Sequence, residues 1–317
     1  MWNNLEHLLF TDLKKHKLQD VDLYLVAVSG GLDSLTLVRM LHKVKPLSRL
    51  VLMHFHHGKA STLESQSYRD ESFKYIQSLE SLSIKVEFEI SDQTLSSEDD
   101  YRQARLVFFQ KTLEKNNSKF YLTAHHRDDV LETQLLKLIR GSGLDSLSAF
   151  KKWNHKIYRP FLDFSKIDLI KYASDEKLQW FEDPTNLLDQ YNRNWIRNNW
   201  LKQLEEKIPG SKLNLARSLE NITSEFENKS DIFQQEIARY IIFDGNEVVI
   251  LRSWFTGLDA SFQMKVLAYI LRTEFKIEFS QGQIKEALKQ LDKNQNDHIF
   301  KVAGIIWLTN RNNIVLK

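Results

Sequence analysis

A short apolar run that stops at two adjacent glycines constrains this chain more than any other feature. Leu23–Val28 has the length and β-branched content of a buried strand, and it ends at Ser29-Gly30-Gly31-Leu32-Asp33-Ser34. A helical apolar pattern begins at once with Leu35, Leu37, Val38 and Leu41. Two glycines let the backbone turn tightly and bring its N–H groups close to a ligand. The helix that follows aims its positive dipole end at the same spot. Ser29 and Ser34 add hydroxyls. The combination makes an anion site, most simply a phosphate site; the alternative is a strand-to-helix turn with no ligand. The spacing matches neither the Walker A loop nor the G-x-G-x-x-G turn. A carboxylate such as Asp33 repels phosphate unless a divalent cation lies between them, so the local expectation is a nucleotide with Mg2+.

Three more apolar runs, Leu50–Phe55, Ile84–Ile90 and Phe120–Ala124, are separated from the first and from one another by helical patterns near 34–42, 64–82 and 100–115. Such alternation predicts an α/β fold, a doubly wound parallel sheet with helices on both faces. Ligands in these sheets bind beyond the carboxyl ends of the strands, so the residues leaving each strand carry the functional information.

The second strand runs into His54-Phe55-His56-His57-Gly58, where a metal site lacks the clustered acids or thiols to complete it. A wall for a nucleotide base or ribose, or a solvated loop, fits better. The fourth strand leads into His125-His126-Arg127-Asp128-Asp129-Val130-Leu131-Glu132-Thr133. Acids in the first turn of a helix suit its dipole. Three carboxylates and two histidines this close together suit a Mg2+ or amine site better. Basic and aromatic residues alternate in Lys151–Pro160, a weak sign of nucleic-acid contact. Arg193 and Arg197 are a like-charge pair four residues apart, which costs a few tenths of a kcal/mol unless an anion joins them. That anion is a phosphate, a carboxylate ligand or a surface acid.

Beyond Ile208-Pro209-Gly210 the pattern changes to a long helix over 213–242 and two shorter ones. A strand-like pair, 298–307 and 314–317, closes the chain. The expected division is a catalytic domain over 1–210 and a second, smaller, mostly helical C-terminal domain over 211–317, ending in a short β-hairpin. At 317 residues two ordinary domains fit. Net charge is +2, so a nucleic-acid surface must come from local clustering. Residues 1–17 read as an amphipathic helix, no window is apolar enough for a membrane span, and a cytoplasmic protein is expected. With no cysteine, disulfides, thiolate metal sites, iron–sulfur clusters and cysteine nucleophiles are excluded.

The first motif resembles the PP-loop of the ATP pyrophosphatases, which cleave ATP between the α- and β-phosphates and adenylate a carbonyl oxygen. The later segments narrow the resemblance to the tRNA(Ile)-lysidine synthetases. They are His125-His126-x-Asp128-Asp129-x-x-Glu132-Thr133, Arg140-Gly141-Ser142-Gly143-Leu144, Arg159-Pro160-Phe161, Asp183-Pro184-Thr185-Asn186 and Arg193-Asn194-x-x-Arg197. The match is strong over about 22–200 and looser beyond, where Lys301-Val302-Ala303-Gly304 also looks familiar. Zero cysteine disfavours the related tRNA thiolases, and NAD synthetase, the nearest small-molecule competitor, lacks the Arg-Asn-x-x-Arg segment. A nucleotide-binding module without catalysis is the third possibility.

The resemblance implies ATP and Mg2+, L-lysine, and tRNA(Ile) with a CAU anticodon as partners, and it leaves room for a homodimer. By it, Ser29, Gly30, Gly31, Leu32, Asp33 and Ser34 bind ATP, and Asp33 and Asp129 hold Mg2+. Arg105 steadies the phosphate transition state, and His125 meets the α-phosphate or the cytosine. Asp129 and Glu132 meet the amines of lysine, and Arg197 its carboxylate. Two departures stand out: Phe108 and Phe109 replace Arg-Tyr of the usual Ala-Arg-x-x-Arg-Tyr, and Lys59-Ala60 replaces Leu-Arg. The chain is also short for the family, as if a further C-terminal module were absent.

Overall fold

Because each N-terminal apolar run is followed by a helix, successive strands return in the same direction and pair in parallel. The computed structural model describes residues 2–317 except 47, 61, 82, 92–97, 143–146, 148–149, 188–190, 246, 278 and 293–296. Its first sheet contains β1 (Leu23–Ala27), β2 (Arg49–His56), β3 (Ile84–Ile90), β4 (Tyr121–Leu122), β5 (Trp153–Asn154) and β6 (Ile157–Tyr158). They lie in the order β3-β2-β1-β4-β6-β5, and β5 alone runs antiparallel to its neighbour.

Alternation along the strands builds two cores. Tyr24, Val26, Leu50 and Leu52 pack with Leu9 and Leu13 of α1 (Asn4–Lys15), Leu37 and Leu41 of α2 (Leu32–Val44), and Leu169 and Tyr172 on a later helix. Leu25, Val51, Met53 and Phe55 point the other way, onto Phe108, Phe109 and Leu113. Helices thus cover both faces, as the α/β alternation predicts. The helices between these strands are α3 (Leu63–Ser78) and α4 (Glu98–Lys115), and α5 (Arg127–Ile139) follows β4. The Phe108-Phe109 departure belongs to the second core. Both rings are nearly fully buried, Phe108 beside Phe55 and Phe109 beside Tyr121. These positions serve packing here, not a surface.

Part of the basic and aromatic stretch at 151–160 turns inward, while Lys151, His155 and Lys156 stay exposed. Lys152 and Tyr158 both bond Asp12 of α1, and Trp153 sits against Tyr158 and donates to His16 at 3.3 Å. Its apolar and charged groups dock the N-terminal helix. That helix is capped by Asn3 with Glu6 reaching back to it, and Glu6, 1% exposed, also accepts from the Tyr172 hydroxyl at 2.7 Å.

After α6 (Lys166–Asp175), α7 (Asn192–Trp195) continues through a π turn (Ile196–Trp200) into α8 (Leu201–Lys207). Contacts divide the chain into two compact units, Met1–Ser224 and Glu225–Lys317, within α9 (Ser211–Ile237).

The second unit carries more strand than expected. Its sheet has the order β7-β8-β11-β10-β9 and is antiparallel throughout. The strands are β7 (Ile241–Asp244), β8 (Glu247–Leu251), β9 (His298–Val302), β10 (Ile305–Thr309) and β11 (Asn313–Leu316). The helix predicted to reach 242 ends at Ile237, and the next apolar residues pair as a hairpin instead. The single strand expected over 298–307 is folded in two at Ala303-Gly304, both with positive φ (54° and 81°). A two-residue turn of this kind is normally signalled by Asn-Gly or Asp-Gly, so Ala-Gly hid it. Three helices, α10 (Arg252–Thr256), α11 (Ala260–Thr273) and α12 (Gln281–Leu291), complete the unit; Val266, Leu267 and Ile270 of α11 share a core with Trp307 and Ile314.

Candidate active site

The strand order runs one way from β1 to β3 and the other way from β4 to β6 and β5, so the crevice at the carboxyl ends of β1 and β4 is a topological switch point. Both motif-rich turns leave the sheet there. At the end of β1, Gly30 has φ +88°, and its carbonyl accepts from the Phe181 amide at 3.0 Å. The Ser34 hydroxyl donates to the Gly31 carbonyl at 3.0 Å and lies 3.2 Å from the Ser29 amide, which donates to it. The two serines bind the turn to itself, and Gly31 caps the N-terminus of α2 without a side chain. A Cβ on Gly30 would lie 2.6 Å from Cβ of Ser72, which is buried. Gly30→Ala therefore meets both a forbidden φ and a clash. It is expected to cost about 1–3 kcal/mol and to distort the anion cradle, read as a lower urea midpoint together with lost nucleotide binding.

His54 and His56 do not wall a ligand space. His54, 4% exposed, lies 2.9 Å from the Val28 carbonyl through Nδ1 and stacks on Phe73; His56 accepts from the Gly58 amide at 3.1 Å. They brace the turn from behind. Burial holds His54 neutral, with its pKa down to about 4, and does the same for His57 and His125. An unfolded histidine takes up a proton near 6.5, which the folded chain refuses until about 4. Stability is therefore full above about 6.5 and is lost as pH falls toward 4, by about 1.4 kcal/mol per pH unit for each such group. Urea midpoints at pH 7.5 and 5.5 should fall accordingly.

On the β4 side, α5 presents its acids to the same crevice. Oδ2 of Asp129 accepts from the His126 amide at 3.0 Å, closing the helix N-terminus. Nε2 of His126, a residue only 3% exposed, lies 3.5 Å from Oδ2 of Asp129 and 3.7 Å from Oδ2 of Asp33, so the two turns meet across one imidazole. Burial opposes the charge on Asp129, but His126, Arg193 and the amide bond outweigh it and hold this carboxyl below the usual range. His125 bonds the Thr123 hydroxyl through Nδ1 at 2.8 Å and packs edge-on to Phe150, over which Arg159 lies. Arg105 is half-buried on α4, where its charge acts on His57 and Tyr121.

The arginine pair finds its anion inside the protein. Glu132, 2% exposed, accepts from Nε of Arg193 at 2.9 Å and from Nε and Nη2 of Arg197 at 2.6 and 2.8 Å. Oδ1 of Asp129 accepts from Nη2 of Arg193 at 2.8 Å and of Arg197 at 3.4 Å. Burial disfavours the charge on Arg197, yet Glu132 and Asp129 more than offset it and raise its pKa, with Asp33 adding to the effect. On the same helical stretch Asn194 and Asn198 donate to the carbonyls of Thr185 and Asn186 at 2.8 and 3.0 Å, tying the Asp183-Pro184-Thr185-Asn186 turn to the site. Gly143 and Leu144 of the Arg140–Leu144 segment lie outside the described residues.

Lys166 is a site residue that the motifs did not single out. Its Nζ lies 2.7 and 2.8 Å from the two oxygens of Asp33, and its amide donates to Oδ2 of Asp128 at 2.9 Å. A lysine opening a helix opposes the dipole, and that local oddity was the available signal.

Among the described residues, no three His, Asp or Glu side chains form a ready metal cage. Asp33 and Asp129, the carboxylates expected to hold Mg2+, face the same imidazole, Asp33 also paired with Lys166 and Asp129 with Arg193 and Arg197.

A family model described as a PP-loop domain matches residues 5–204. The tRNA(Ile)-lysidine synthase of Bdellovibrio bacteriovorus is 38% identical over 317 residues, covering 98% of this chain and 96% of that protein. The chain belongs to the tRNA(Ile)-lysidine synthase family. Other members are longer. The enzyme so named in Parabacteroides distasonis is 33% identical over 69% of this chain but only 50% of its own length. That of Legionella pneumophila (strain Paris) is 34% identical over 61% of this chain and 45% of its own. The chain thus spans about half the length of these two relatives and nearly all of the first. The U34-tRNA thiolase NcsA from Methanococcus maripaludis, solved with its [4Fe-4S] cluster, shares the fold alone, with a TM-score of 0.51 at 16% identity over 69% of this chain and 77% of that one. The turn at 29–34 lies within the matched PP-loop domain. No helix among the described residues is long and apolar enough to cross a membrane.

Proposed function

We propose that the chain is an AMP-forming carbon–nitrogen ligase that makes lysidine in tRNA. ATP adenylates the C2 oxygen of the wobble cytidine of tRNA(Ile) with a CAU anticodon, and pyrophosphate leaves. The ε-amine of free L-lysine then attacks C2, loses a proton and expels AMP. The observation that carries this reading is the meeting of Asp33, from the phosphate turn, with Asp129, Glu132 and Arg197 in one crevice. A turn suited to phosphate and an acid–base pair suited to an amino acid would thereby serve one reaction.

Backbone N–H groups at Gly30, Gly31 and Leu32, with the Ser29 and Ser34 hydroxyls and the N-terminus of α2, would receive the pyrophosphate. Asp33 and Asp129 would hold Mg2+, which neutralises phosphate charge as the α–β bond breaks. Where the Thr123 hydroxyl donates to Nδ1 of His125, the proton of the neutral ring resides on Nε2, a donor for an α-phosphate or cytosine oxygen. Arg105 would add positive charge to the phosphate transition state. Lysine would place its amines against Asp129 and Glu132 and its carboxylate on Arg197. Because Arg197 already spans both acids, lysine binding must part it from at least one of them. Residues 211–317 would contact the tRNA away from the anticodon. ATP, free lysine and tRNA are together in the cytoplasm, the setting this reaction requires.

The test is mass analysis of unmodified CAU tRNA(Ile) incubated with the protein, ATP, Mg2+ and labelled lysine. A gain of one lysine at the wobble cytidine is expected. Unchanged tRNA alongside turnover of deamido-NAD with ammonia would replace this reading with that of a small-molecule amidating ligase.

A further inference from the structure

Arg159 is the first residue after β6, and its guanidinium is buried without a counter-ion. The residue is 6% exposed. Its Nη1 donates to the Lys151 carbonyl at 2.8 Å, the guanidinium lies 4.8 Å from the centre of the Phe150 ring, and Nε is buried with no partner. Among the described residues no carboxylate pairs with it, and none figures among the charges that act on it. Burial disfavours its charge, and the like charge of Arg102 on α4 adds to that, with only the Tyr121 phenol opposing. Bracing the β5–β6 hairpin needs one donor and a flat side chain. It does not need a full charge, and burying one unpaired is costly. A charge so placed calls for an anion from outside the chain.

The position of Arg159 separates that anion from the nucleotide. β6 lies beyond β4 from the phosphate turn, about 10 Å across the sheet from β1. Between the two, His125 leaves β4 and packs edge-on to the Phe150 ring that Arg159 covers. On the Arg159 side the hairpin carries the exposed Lys151, His155 and Lys156, and Arg102 is exposed on α4. A basic strip there suits a polynucleotide whose backbone passes over the hairpin while one base reaches His125. Arginine is the side chain that pairs with phosphate through two parallel N–H bonds.

We propose that Arg159 is an RNA-binding residue, its guanidinium receiving a backbone phosphate of the strand that carries the wobble cytidine to His125. The proposal rests on the reading of the chain as a tRNA ligase. It differs from a bracing role in one respect that can be measured: removing the charge should lower the salt dependence of RNA binding and leave nucleotide binding in place.

The experiment compares the wild-type chain with Arg159→Gln and Arg159→Lys. A fluorescent CAU anticodon stem-loop is titrated by anisotropy over a series of KCl concentrations, and Mg2+ with the unreactive α,β-methylene analogue of ATP by calorimetry. Arg159→Gln should bind the stem-loop about tenfold more weakly, as expected for one lost charge-assisted contact. The slope of log K against log KCl should fall by about 0.7, the counter-ion release of one single-stranded phosphate. Analogue binding should stay within about twofold of wild type, because the two anion sites are separate. Arg159→Lys keeps the charge but loses the fork and the stack on Phe150, so its slope should match that of wild type. A folded Gln variant with an unchanged slope, or with parallel loss of stem-loop and analogue, overturns the proposal and leaves the tRNA reading standing. A Lys variant whose slope falls by the same amount marks a bracing role and overturns it too, which decides the matter where the Gln variant does not fold. A wild-type chain that binds no stem-loop overturns the tRNA reading and the proposal with it.

Discussion

Asp129→Asn is expected to lower ATP-dependent pyrophosphate release by about a hundred- to a thousandfold. The carboxylate does three things that an amide cannot do together. Oδ1 accepts from Arg193 and Arg197, and Oδ2 accepts from the His126 amide while facing the same imidazole as Asp33. An asparagine at this position has one acceptor oxygen, and its amino group must point at donors on one side or the other. It also brings no charge for a metal. Leaving the two guanidinium groups, each 38% exposed and still bonded to Glu132, less than fully paired should cost only about 1 kcal/mol of stability in addition, visible in urea unfolding. A folded variant that releases pyrophosphate within tenfold of wild type would remove Asp129 from the phosphate chemistry.

Arg197→Ala should behave differently. Adenylation, followed as pyrophosphate release with tRNA present, should change little, while the lysine concentration for half-maximal product rises by about a hundredfold. Glu132 keeps its bond to Nε of Arg193 in this variant, so the buried acid is not left alone. What would disappear is the half-site proposed for the lysine carboxylate. Equal loss of adenylation in Asp129→Asn and Arg197→Ala would show that the two residues do not divide the reaction as described.

How far the sequence reached depended on the range of the interaction. Strand β1, the glycine turn and α2 were legible because apolar period, glycine and helix pattern lie within about twenty consecutive residues. The acids after β4 were legible for the same reason. Arg193 and Arg197 were visible as an unfavourable pair in need of an anion, but not which anion. Their partners, Glu132 and Asp129, stand 61 to 68 residues earlier. The misreadings follow the same rule. Lys152, Trp153 and Tyr158 were read with the surface charges of 151–160 because they were seen without Asp12 and His16 of α1, which engage them. His54 looked like a ligand wall because the Val28 carbonyl that engages it is 26 residues away.

By itself, the sequence determined the α/β class, the place of the glycine turn and the kinship of the N-terminal unit, since these depend on backbone preferences and spacings local to each segment. Only the tertiary structure decided what each charge is paired with. It set Asp33 against His126 and Lys166, the last from 133 residues along the chain, and gave the arginine pair to the buried Glu132. It also folded the C-terminal strands into a five-stranded sheet through a turn with no glycine–asparagine signal. The physical reason is that an ion pair or a strand pairing is an energy between two places in space. A sequence states which groups exist, and the crossings of the chain through the β1–β4 crevice determine which of them meet.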